Sequence, residues 1–145
     1  KNYTAERFLT EFTSEQIVGM EMEQGAVVWP AVRNFIKEDY TWKAFVVEGV
    51  NILPSLISED FKGDQHIKAV FLVDEDADRM REVIYKRGLW GGAKTYSDDV
   101  KEKEVEWALL FSHRIKAEAE KYGYPVVEVR KHENDLQGVL SVLVS

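Results

Sequence analysis

Three short runs rich in apolar and β-branched residues interrupt an otherwise amphipathic chain: Ala44 to Val50 (AFVVEGV), Ala69 to Asp74 (AVFLVD) and Pro125 to Arg130 (PVVEVR). The first two are nearly continuously apolar, as strands covered on both faces are, and all three are predicted to be parallel strands. Around them the apolar period becomes helical. From about Ala5 to Ile36 the residues Phe8, Leu9, Phe12, Ile17, Met20 and Val28 fall near that spacing. Thr13 followed by Gln16 matches a capping box and predicts two helices here, while Pro30 is expected to break or kink a helix unless it sits in a first turn. Asp76 to Arg87 predicts a short helix, acidic at its start, basic at its end and stopped by Gly88. Asp98 to Tyr122 predicts the longest helix, with Val105, Ala108, Leu109, Ser112, Ile115 and Ala119 along one stripe and Gly123 as its stop. Asn134 to Leu143 predicts a last helix.

Strands alternating with helices of this length indicate right-handed βαβ crossovers. The expected fold is a three-layer α/β/α domain over residues 1–145, with a parallel sheet covered by helices on both faces. A chain of 145 residues, 45% hydrophobic and 31% charged, suits one core and is too short for two ordinary domains. No repeat or low-complexity tract divides it.

Composition narrows the function classes. No apolar run approaches the roughly 18 residues of a membrane-spanning helix, and the start, KNYTAERF, lacks the apolar stretch of a signal peptide. A cytoplasmic protein without a membrane partner is expected. The absence of cysteine excludes disulfides and thiolate metal sites. A formal net charge of -7 disfavours nucleic acid as a partner but leaves room for a local basic patch that holds a small phosphorylated ligand. His66, His113 and His132 are scattered without metal-ligand spacing, and neither GxSxG nor a cysteine nucleophile occurs. A small-molecule partner is expected, and a homodimer is compatible with the sequence.

In open parallel sheets ligands bind beyond the carboxyl ends of the strands. The three apolar runs end in Glu48-Gly49, in Asp74-Glu75-Asp76, and in Glu128 and Arg130. Carboxylates with a cation on one edge are the side chains that Mg²⁺ and phosphate need. Asp74 and Asp76 are expected first as caps of the following helix. Glu48 is different, because apolar residues continue past it and a carboxylate there needs a partner or water.

These segments resemble a family. FVVEGVNILPSLI (Phe45 to Ile57), VFLVDEDADRMREVIYKRG (Val70 to Gly88) and AVVWPAVRNFI (Ala26 to Ile36) look like parts of the P-loop small-molecule kinases, nearest to the 2-phosphoglycerate kinase and uridine kinase-like groups. The resemblance implies a P-loop NTPase-like fold with ATP and Mg²⁺ as cofactors. It implies that Glu48 lies near metal and acceptor, holding Mg²⁺ through water or orienting the attacking hydroxyl. Arg81 and Arg87 would contact the nucleotide phosphates or stabilise charge on the transferred phosphoryl group, with Arg79, Arg130 and Lys131 on the nucleotide. Residues 79–99 would form a lid, with Gly88, Gly91 and Gly92 giving it freedom and Trp90 latching it.

The family's GxxxxGK[ST] loop does not occur here. Gly88 to Thr95 (GLWGGAKT) comes closest, but Ala93 replaces the second glycine and the stretch follows a predicted helix where a strand is required. The first strand, P-loop and first helix are therefore expected in about 30 to 45 residues before Lys1. On this view the intact polypeptide phosphorylates a small hydroxyl-bearing metabolite, and residues 1–145 alone bind ATP poorly. The other expectation is a degenerate α/β domain serving as a non-catalytic interaction or oligomerisation module.

Overall fold

The computed structural model describes residues 4–38, 40–89, 92–130 and 132–144. Near its start, the capping box forms as the sequence predicts: the Thr13 hydroxyl accepts from the Gln16 N–H and the Gln16 side chain accepts from the Thr13 N–H. This junction separates α1 (Ala5–Glu11) from α2 (Ser14–Lys37). Pro30 lies inside α2, which runs through it as a single helix of 24 residues. The expected break is prevented by tertiary anchoring. Trp29, beside the proline, is buried, and its indole N–H donates to Asp60 at 2.7 Å, which helps offset the one intrahelical bond proline cannot make.

Asp60 belongs to α3 (Pro54–Phe61), a helix absent from the sequence expectation, which opens on a proline at its first turn. The chain continues through β1 (Phe71–Val73), α4 (Ala77–Arg87), a single 3₁₀ turn at Ala93–Thr95, α5 (Asp98–Tyr122), β2 (Val126–Glu128) and α6 (His132–Val144). The bounds of α5 and its stop at Gly123 are those predicted.

The expected fold class is wrong at the sheet. Among the described residues helix makes up 65% and the strands are two, so this is not a three-layer α/β/α fold. β1 and β2 pair in parallel, with Phe71 opposite Val126 and Val73 opposite Glu128. The Phe71 N–H donates to Pro125 at 3.0 Å and the Val73 carbonyl accepts from Val129 at 2.8 Å. Ala44 to Val50 forms no strand, and Val46 and Val50 are 82% and 68% exposed. A strand exists where a neighbour completes its backbone hydrogen bonds. β-branched composition marks a preference for a pleated, half-buried surface and does not supply one.

α5 organises the core. Against its C-terminal half, Ile115 and Ala119 meet Trp29 of α2, Ile57 and Phe61 of α3, and Phe71 and Val73 of β1. Against its N-terminal end, Val100 meets Leu9 of α1 and Ile17 of α2. α2 reaches the segment before α3 closely: a Cβ on Gly25 would stand 2.6 Å from Leu53 Cδ1 and 3.2 Å from the Asn51 carbonyl oxygen. Among the described residues, no helix is long and apolar enough to cross a membrane.

Candidate functional site

β1 leaves the sheet at Val73 and enters Asp74-Glu75-Asp76, where each acid has a different task. Asp76 caps α4, accepting from the backbone N–H groups of Asp78 at 3.1 Å and Arg79 at 3.0 Å. These bonds, the one from Arg79 foremost, hold its carboxyl below the usual range. Asp74 does not cap the helix. Its Oδ1 accepts from the Asp76 N–H at 3.0 Å and from Arg79 Nη2 at 2.6 Å, and its Oδ2 accepts from Arg79 Nε at 2.9 Å. The Asp74 N–H in turn donates to Ser112 Oγ on α5 at 3.3 Å. The bond to Asp74 raises the Arg79 pKa still further.

Glu75 turns toward α5, where Lys116 donates to it and His113 Nε2 lies 3.3 Å away. Lys116 also donates to Glu128 at the end of β2, at 3.2 Å. The bond to Glu75, then that to Glu128, raises the lysine pKa, so Lys116 is a fixed cation. Glu128 accepts as well from Arg130 Nη2 at 3.0 Å, and Arg130 followed by Lys116 lowers its pKa. The Arg130 N–H donates to Asp135 in α6 at 2.8 Å, closing the far side.

Two open clefts lie along this edge. One of about 340 Å³ is lined by Glu75, Asp76, Arg79, Glu128, Val129 and Arg130. The other, about 470 Å³, is lined by Lys116, Glu120, Val126, Glu128 and Arg130. Acids outnumber cations along the rim, which opposes a bare anion. Among the described residues, no group of three or more His, Asp or Glu side chains is arranged to hold a metal ion.

Of the residues singled out in the sequence, Arg79 and Arg130 come together on one cleft. Glu48 stands exposed on the unpaired segment and lines neither cleft. Arg81 turns to α5, where its Nε donates to Glu102 at 2.9 Å, and that pairing raises its pKa. Arg87 is exposed in the last turn of α4. Lys131 lies outside the described residues, as do Trp90 and Gly91 of the expected lid. Gly88 has φ 73°, and a Cβ there would stand 2.3 Å from Ala93 Cβ. Positive φ and close approach account for this glycine without a hinge. GLWGGAKT indeed follows a helix, α4.

Sequence reasoning missed Lys116, His113 and the role of Asp74. The available signal was spacing: Ser112 and Lys116, four apart with His113 between them, share one side of a long helix. Comparisons with known protein families, with curated proteins and with solved structures find no match.

Proposed function

We propose that this chain takes part in ATP-dependent transfer of a phosphoryl group to a small hydroxyl-bearing metabolite, using the Mg²⁺ complex of ATP. The observation that carries the proposal is the convergence of Arg79 and Arg130 on one cleft at the carboxyl ends of two parallel strands. Phosphoryl transfer asks a protein mainly for positioned charge; the Asp74 pair holds the Arg79 guanidinium, and Glu128 pairs with the exposed Arg130. Mg²⁺ supplies charge neutralisation on the phosphates when bound. Arg79 and Arg130 bind and orient the phosphate chain, while Glu75 and Glu128 keep Lys116 at the rim. The chemistry is assigned to this edge rather than to Glu48, Arg81 or Arg87.

A second reading, a non-catalytic interaction or oligomerisation module, draws support from a different face. Tyr40 and Trp42 stack at 4.7 Å beside Phe35 and Phe45, and Trp42 is 59% exposed. Exposed aromatic clusters of this kind mark contact surfaces.

ADP release by the protein, measured over acceptors from nucleosides to phosphorylated acids, separates the two. Turnover with at least one acceptor, lost on chelation of Mg²⁺ and reduced roughly 100-fold by Arg79→Ala, is expected. An absence of both ATP binding and turnover, with self-association in sedimentation, would establish the second reading.

A further inference from the structure

We infer that the aromatic face around Trp42 is where two copies of this chain meet, with Ala44 to Val50 of each pairing as antiparallel strands about a two-fold axis. The inference is independent of the phosphotransferase reading.

The segment has the composition of a strand and lacks a neighbour. Val46, Val47 and Val50 are β-branched, yet the backbone N–H and C=O groups of Ala44 to Glu48 pair with no backbone group of any described residue. Folded proteins guard such a stretch with lysine, proline or a covering element. Ala44 to Val50 holds neither lysine nor proline, and apart from Val47 every residue in it is exposed. A second copy supplies the missing neighbour.

The rings beside the segment form one surface. Phe35 lies 5.2 Å from Tyr40 and 5.5 Å from Phe45, and Tyr40 lies 5.4 Å from Phe45. Phe35 and Phe45 are 44% and 39% exposed. Together with Trp42, Val46 and Val50 they leave roughly 450 Å² of apolar side chain in water. One side of a standard interface covers about 800 Å², a little over half of it apolar, so this face brings the apolar share that a stable dimer needs.

Charge selects a copy of the same face as the occupant. The chain carries a net charge of -7, but residues 40–50 hold one cation, Lys43, and one anion, Glu48. Two such faces meet without the repulsion that the acidic remainder of the chain would impose. In antiparallel pairing about a two-fold axis, opposed side chains share a face only when their residue numbers have an even sum. Val46 is the most exposed of the large apolar residues. With Val46 on the axis, Phe45 comes opposite Val47, Ala44 opposite Glu48 and Lys43 opposite Gly49. The two Val46 side chains meet, and no like charges are opposed.

Sedimentation equilibrium of residues 1–145 tests the inference. A species of twice 16.7 kDa is expected, with a dissociation constant on the order of micromolar. Val46→Glu sets two carboxylates against each other across the axis and removes the buried valines. It is expected to raise the dissociation constant by about 100-fold or more and to leave far-UV circular dichroism unchanged, because Val46 is exposed in the single chain. The chain has no cysteine, so Val46→Cys adds a geometric readout. Opposed strand Cα atoms lie about 4.5 to 5.5 Å apart, within disulfide reach, and air oxidation is expected to link the dimer at this position. Leu136→Cys, exposed on α6, is not expected to link. A wild-type chain that stays monomeric up to about 1 mM overturns the inference and leaves the face to a different protein. A dimer that Val46→Glu leaves intact, or that Leu136→Cys links as readily as Val46→Cys, overturns it by placing the contact elsewhere.

Discussion

Glu104 on α5 has no exposed surface, and burial pushes its carboxyl pKa up, with the Leu89 backbone N–H and Lys101 pulling it back. A raised acid pKa works against the fold as pH rises. Just above the ordinary carboxyl value the folded chain keeps a proton that the unfolded chain has lost. The stability contributed is full below that window and declines as pH rises through it. Glu104→Gln, which removes the ionisation, is expected to melt higher than wild type at neutral pH, with the difference closing at acid pH. Equal melting temperatures under both conditions would contradict this. Nothing in the sequence marks this glutamate. It sits one residue off the apolar stripe that begins at Val105, where an acid normally faces water. Asp74 was equally hidden: in the sequence it is one more acid before a helix, and only the three-dimensional path of Arg79 reveals its partner.

Elements were legible where their causes are local. The Thr13 to Gln16 box, the Asp76 cap, the stop at Gly123 and the bounds of α5 each depend on residues within a few positions of one another. α2 running through Pro30 and the missing strand at Ala44 to Val50 depend on partners far along the chain, Asp60 in the first case and an absent neighbour in the second. Two glycines of α2 separate local from tertiary causes. Around Gly19 nothing lies within 4 Å of an added Cβ, so Gly19→Ala is expected to stabilise by about 0.5 to 1 kcal/mol through helix propensity alone. At Gly25 the same gain is opposed by Leu53 Cδ1 at 2.6 Å. Overpacking there prevails, and Gly25→Ala is expected to destabilise by about 1 to 2 kcal/mol. Denaturant titration of the two variants checks both signs, and stabilisation by both would show that the α2 contact with Leu53 yields freely.

Across the whole molecule, three apolar runs carried the same local signature, and only two of them became strands. Periodicity cannot tell which runs will meet, so it suggested a layered sheet in a chain that is mainly helical around α5. The site was half legible for the same reason. The rule that ligands gather at strand carboxyl ends led to Arg130 and the family resemblance to Arg79, whereas Lys116 arrives from a helix whose angle against the sheet no local pattern encodes. That Mg²⁺·ATP binds at this edge is the central proposal, and amide chemical shifts of the isotope-labelled protein during titration with Mg²⁺·ATP test it most directly. The account predicts the largest saturable shifts at Asp74 to Arg79, Ser112 to Lys116 and Glu128 to Arg130. No saturable shift, or shifts gathered instead around Phe35, Tyr40, Trp42 and Phe45, would contradict it.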